Sequence, residues 1–298
     1  MEHYTTEFSK NWQAKAQQTK SRVSDFVDWE TGGFKGERKR FDISASQTFR
    51  ARTERKAPTI AVNPTLTFRW ISRGSYELVN DLDEDDAEYL GELVVPTGRW
   101  VRDHVSAYHR LIDEVVTDAA VGTALTGEAG TTSTTFASEL SGNQIAAGGT
   151  GLTVAKLRSA NQILSESDLE GAELMGDGQP NASQRIVVCT AEQIDNLLGD
   201  TQVTSADYNT VRALANGTVD TFMGFTFRRY EGLDKASTTR TCMAWVKGAV
   251  VASKGSISTK IDLIPTESHK TQIRSTCRLG ALALHREGIV QIDCTETA

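Results

Sequence analysis

Asp81, Asp83 and Asp85 recur at every second position, and Glu92 stands at the twelfth place of the same run. That is the order in which a calcium loop sets out its carboxylates. Such a loop needs glycine at its sixth place for the sharp turn that gathers the ligands, and here the sixth place is Asp86. The residues just before it, Ser75 to Val79, alternate as a strand, where a calcium loop would have a helix. The run reads as a solvated acidic surface or an inter-subunit contact. His104 and His109 lie near Asp103 and Asp113, but a spacing of five turns the two rings more than about 100° apart on a helix, unlike an i, i+4 metal pair. Gly122 and Gly127 begin a phosphate-loop spacing, yet Glu128 and Ala129 replace the lysine and hydroxyl residue, and an anion there repels phosphate. G-x-S-x-G, HExxH and G-x-G-x-x-G are all absent. Cys189, Cys242, Cys277 and Cys294 form no CxxC pair, and Cys189 and Cys242 sit in apolar runs expected to be buried. No catalytic residue, metal site or cofactor is predicted, and the chain is read as a non-enzyme.

Charge separation carries more. From Arg38 to Lys56 there are seven basic residues against Asp42 and Glu54, whereas Glu77 to Glu92 holds eight acids and no base. A basic projection beside an acidic block suits a protein whose partner is a second copy of itself, because opposite fields steer and orient association. The expected contact sets Arg50, Arg52, Arg55 and Lys56 of one copy against Asp83, Asp85, Asp86 and Glu88 of another.

The elements that must present these groups follow from periodicity. Phe8, Trp12 and Ala16 mark a short N-terminal helix with too few apolar residues to stand alone, so it needs a surface in its own subunit or the next. Phe41, Ile43, Ala45 and Phe49, then Leu66, Phe68 and Trp70, alternate as two strands of a long hairpin whose connection includes Pro58 and Pro64. Pro96-Thr97 opens a helix that keeps i, i+3, i+4, i+7 spacing from Trp100 to Ala119 and ends near Leu125, a spine of roughly 40 Å. Thr131 to Gly151 reads as a surface loop. A compact α/β unit follows: a helix over Leu152 to Leu164, a buried strand over Arg185 to Cys189, helices over Ala191 to Leu198 and Ala206 to Ala215, and a strand from Phe222 to Tyr230 entered through Gly224. A strand over Thr241 to Trp245 and a short helix over Val246 to Ala252 come next, and long strands run from Ile257 to Cys294.

This order of elements resembles the major capsid proteins of tailed double-stranded DNA bacteriophages, the Hong Kong 97-type α+β fold. Three stretches carry the likeness: Asp81 to Thr126; LTVAKLRSANQILSES with the run from Arg185 to Leu233; and the terminal strands from Ile257. The turn from Val219 to Phe225, VDTFMGF, is the most specific part. The resemblance implies an N-arm over 1–36, an extended E-loop hairpin over 37–80, and a P-domain over 81–129 and 255–298 with its spine helix at about 97–125. It implies an A-domain over 130–254. It implies a shell of hexamers and pentamers around packaged DNA, a virion location after assembly in the bacterial cytoplasm, and portal, scaffolding or decoration proteins as further partners. The hairpin arrives within about forty residues, so the N-terminal scaffolding segment of some members is not expected.

Bulk properties fit that reading. With 298 residues, 39% hydrophobic residues and a net charge of −7, the chain can bury a large core and does not bind nucleic acid over its whole surface. No apolar run approaches the ~18 residues that span a bilayer, and the polar stretch from Met1 to Lys20 is no secretory signal, so no membrane partner is expected. Two alternatives stay open: an encapsulin-type bacterial compartment shell, and, in another class, an acidic metal-dependent hydrolase. A basic hairpin gripping DNA as a binding module is a further possibility.

Overall fold

Alternating apolar residues recur along this chain, and among the described residues the strands gather into three sheets. The computed structural model describes residues 18–30, 36–51, 61, 63–82, 99–167, 169, 185–199, 221–255, 257–267 and 270–296. In chain order these hold β1 (Asp28–Glu30), β2 (Arg38–Ser44), β3 (Leu66–Ser72), β4 (Gly74–Leu82) and α1 (Arg99–Val121). Then come β5 (Ala124–Thr126), β6 (Thr132–Thr134), α2 (Phe136–Glu139), β7 (Gln144–Ile145), α3 (Val154–Glu166), β8 (Arg185–Cys189) and α4 (Ala191–Gly199). The remainder is β9 (Thr221–Phe222), β10 (Phe225–Arg229), β11 (Lys235–Ala236), β12 (Thr239–Val246), β13 (Val250–Lys254), β14 (Ser258–Ile264), β15 (Lys270–Ala283) and β16 (Ile289–Thr295).

The hairpin forms the first sheet. β2 pairs antiparallel with β3 from Arg38↔Ser72 to Ser44↔Leu66, and β5 and β6 extend it. β15 organises the second: one edge carries β4, and the other carries β14 near its start and β13 near its end. β1 completes this sheet by pairing parallel with β13. The third runs β7-β16-β12-β8-β10-β9, with β11 beside β12.

The core sits on the third sheet. All five residues of β8 are buried, as a fully covered strand requires. Ile186, Val187 and Val188 pack with Ala244, Trp245, Ile289 and Ile292 of the neighbouring strands. Leu157, Ala160 and Leu164 of α3 join them, as do Ile112, Val116 and Ala120, an i, i+4 stripe on α1. Each buried Val, Leu or Ile among them contributes about 1.5–3 kcal/mol. Among the described residues no helix is long and apolar enough to cross a membrane.

Several expectations are corrected. α1 spans 23 residues, about 34 Å, and ends at Val121 rather than near Leu125. Leu125 instead pairs with Trp70 across β3 and β5, so tertiary pairing takes the last residues from the helix. The expected loop over Thr131 to Gly151 contains β6, α2 and β7, with Thr135 capping α2 by accepting from the Ser138 amide and Phe136 buried. Phe222 to Tyr230 is a tight hairpin, not one strand: Met223 and Gly224 both take positive φ, 52° and 81°, the mirror-image turn that matches strand twist. Val246 to Ala252 is no helix, because Val250 and Val251 pair with Ala283 and Leu282. On β3 the deeper face is Arg69 and Ile71, whereas Phe68 and Trp70 are half-buried. The expected helices at Phe8–Ala16 and Ala206–Ala215 lie outside the described residues.

Candidate self-association surface

Of the eight residues expected to join copies, Arg50 alone falls within the described structure. It is exposed on the stretch that prolongs β2 beyond Ser44, beside Phe49, whose side chain is wholly in solvent at 109% relative exposure. Arg52, Arg55, Lys56, Asp83, Asp85, Asp86 and Glu88 lie outside the described residues. Asp81, second of the eight acids in the acidic run, sits on β4 with its carboxylate taken by Lys270 Nζ at 2.7 Å and Gln272 Nε2 at 3.0 Å. The hydrogen bond from Lys270 holds this carboxyl below its ordinary range. Glu77 receives Arg274 at 2.6 Å on the same sheet. These are exposed pairs worth ~0–1 kcal/mol each.

The root of the hairpin is held more firmly. Arg69, on the deep face of β3, donates to Glu139 of α2, and Arg286 Nη1 reaches the same carboxylate at 2.9 Å. Arg286 also donates from Nη2 to Gly122 O at 2.7 Å and Thr134 O at 3.1 Å. One carboxylate between two buried guanidiniums thus ties the hairpin, the end of α1, β6 and the approach to β16 together. Sequence reading missed this triad, since 70 and 147 positions separate its members. Beneath, β3 passes to β4 so close to β15 that a Cβ on Gly280 would stand 2.1 Å from Ser72 O.

Two further anchors lie near the two ends of the described residues. Asp113, fully buried on α1, accepts from the amides of Arg22 (2.9 Å) and Val23 (3.3 Å), from Ser21 Oγ and from Gln18 Nε2. These bonds lay the N-terminal segment along the helix. Glu296, 3% exposed, accepts from Arg240 Nε (2.8 Å) and Thr190 Oγ1 (2.9 Å) and pairs with Lys235 (3.1 Å). Burial pushes its carboxyl up, but the hydrogen bonds from Arg240, Thr190 and Lys235 outweigh it and hold the group down to about 2. Lys156 donates to the carbonyls of Ala147, Thr150 and Asp293 at 2.8–2.9 Å, a buried ammonium satisfied by backbone.

An open groove of about 590 Å³ lies between α1 and strands β4, β14 and β15. Leu78, Val105, Leu111 and Ile257 give it an apolar lining, and Tyr76 and Cys277 stand in its wall. His104 is buried there with Nδ1 2.7 Å from Ser275 Oγ, and burial lowers its pKa. His104 and His109 both line this groove, and no cluster of three metal-ligating side chains occurs among the described residues. Cys189, Cys242 and Cys294 are buried free thiols, and burial raises that of Cys189.

A long helix laid on a long sheet, a hairpin rooted by buried ions, and exposed apolar groups on hairpin and sheet are the features of a structural, assembly-forming protein. A family model described as phage capsid protein matches residues 1–296, and the chain belongs to that family. Solved structures agree in fold. A chain of Mycobacterium phage Che8 is 16% identical, with 98% of each chain covered and a TM-score of 0.67. The cyanophage Pam1 capsid asymmetric unit is 10% identical, covering 97% of this chain and 96% of that one, at 0.74. The capsid of Ralstonia phage GP4 is 11% identical, covering 99% and 96%, at 0.71. No curated protein matches the sequence. The family selects the phage reading among those the sequence leaves open; neither the bacterial compartment nor the hydrolase gains support.

Proposed function

We propose that this chain is the major structural subunit of a phage head, its copies closing into an icosahedral shell as hexamers and pentamers around double-stranded DNA. The whole-length family match carries the reading. In this scheme residues 1–36 are the N-arm, 37–80 the E-loop, 81–129 with 255–298 the P-domain, and 130–254 the A-domain, assembled in the host cytoplasm with portal and scaffolding or decoration proteins. In space β13 lies with β15, and β16 lies between β12 and β7, so the chain segments interleave between sheets. The acidic net charge suits a container that does not adhere to its contents.

Association rests on the E-loop. Phe49 and Leu66 are exposed on the hairpin, an apolar pair that gains by being covered. The basic residues Arg50, Arg52, Arg55 and Lys56 meet Asp83, Asp85, Asp86 and Glu88 of a neighbour. Each exposed ion pair contributes ~0–1 kcal/mol, so repetition across the lattice supplies the strength. The test reverses Arg52, Arg55 and Lys56 to Glu. Electron microscopy should show no shells while circular dichroism shows a folded subunit; normal shells from this variant overturn the contact. Particles of the unaltered protein that hold protein cargo instead of DNA overturn the phage reading itself.

A further inference from the structure

The groove between α1 and the sheet of β4, β14 and β15 has the chemistry of a docking site, and we infer that it receives the chain's own N-terminal segment, residues 1–17, through Phe8 and Trp12. These residues lie outside the described structure. The groove supplies an apolar lining of Leu78, Val105, Leu111 and Ile257. Val105 and Ile257 are 49% and 55% exposed, a cost that a covering segment removes. It also holds two buried ring nitrogens, His104 Nε2 and His109 Nδ1, that have no hydrogen-bond partner. A neutral His104 that donates from Nδ1 to Ser275 Oγ presents Nε2 as an acceptor. The occupant that fits is therefore apolar, with a single N–H donor, and an indole has both properties.

The length of the tether permits this occupant. Residue 17 joins Gln18, whose amide donates to Asp113 on the same helix that forms one wall of the groove. Asp113 stands about 200° round that helix from groove-lining Leu111. A path over half the circumference of a 10–12 Å cylinder is on the order of 17 Å, the span of about five extended residues. The five residues 13–17 are long enough for that bridge, so Trp12 and Phe8 both lie within reach of the groove. Attachment to the same chain gives an effective concentration in the ~mM range, which a second copy in dilute solution does not reach. The inference does not rest on shell formation.

Cys277 is the reporter, since it lines the groove while Cys189, Cys242 and Cys294 are buried elsewhere. In the purified, unassembled full-length protein, iodoacetamide should label Cys277 slowly. The double variant Phe8→Asp with Trp12→Asp should label it ~10-fold faster, as expected if about nine molecules in ten are docked. Equal rates in a variant with unchanged circular dichroism overturn the proposal. A short bismaleimide added to Trp12→Cys should link the introduced thiol to Cys277 within one chain, leaving a monomer on a denaturing gel, and Cys277→Ser should abolish the link. A dimer band as the main product assigns the groove to another copy's segment and overturns docking within the chain.

Discussion

Replacing Glu139 by Gln tests whether the hairpin is held by charge. Glu139 faces Arg69 and Arg286, whose side chains are 6% and 0% exposed, while its own side chain is 28% exposed. Removing one partner from a buried ion pair costs about 3–5 kcal/mol, because the remaining charge is left uncompensated. Arg286 keeps the carbonyls of Gly122 and Thr134, and the partial exposure of Glu139 admits water, so about 2–4 kcal/mol is expected. At ~2 °C per kcal/mol for a chain of this size, the melting temperature of the unassembled subunit should fall by about 4–8 °C. Scanning calorimetry reads this directly, and faster amide exchange in β2 and β3 should accompany it. Arg69→Met combined with Glu139→Gln should be less destabilised than the sum of the two changes, with coupling of at least ~1 kcal/mol. A melting temperature within ~1 °C of the parent, or strict additivity, would refute the reasoning.

Glu296 sets an acid limit on stability. Its folded value of about 2 lies below the ordinary carboxylate value of roughly 4.3, so its contribution is complete above pH ~4.5 and is lost as pH falls toward 2. That contribution is on the order of 3 kcal/mol. Urea midpoints from pH 6 to 2.5 should show this slope, and Glu296→Gln should flatten it; an unchanged slope in the variant contradicts the assignment. Gly280→Ala places a methyl 2.1 Å from Ser72 O, which must retreat by about 1 Å to reach ordinary contact. A loss of at least ~2 kcal/mol is expected, and a stability within ~0.5 kcal/mol would mean that the β3–β4 crossing yields freely.

Legibility followed locality. The strand Arg185–Cys189 and the helices beginning at Val154 and Ala191 were readable, because each buries a periodic apolar set against one nearby layer. Val250 and Val251 misled because V-x-x-A-V-V-A has helical spacing as well as β-branched residues, and only pairing with β15 decides between them. The deep face of β3 was hidden for a similar reason: Arg69 reads as solvent-facing until Glu139, 70 residues later, supplies its partner. Asp113 looked like a neighbour of His109, whereas its role is set by amides some ninety residues earlier. The charge split is plain in the sequence, but most of its members, Arg52 to Lys56 and Asp83 to Glu92, lie outside the described residues.

Only Arg73 separates Ser72, the last residue of β3, from Gly74, the first of β4. Hairpin and long sheet are therefore joined by a one-residue elbow with almost no slack. Traction on the hairpin passes into β4 along its length, where nine register pairs with β15, from Gly74↔Leu279 to Leu82↔Thr271, oppose it. Loaded that way an antiparallel ladder is sheared, all its rungs resisting together, instead of being unzipped one at a time. The same elbow couples any twist of the sheet to the direction in which the hairpin points.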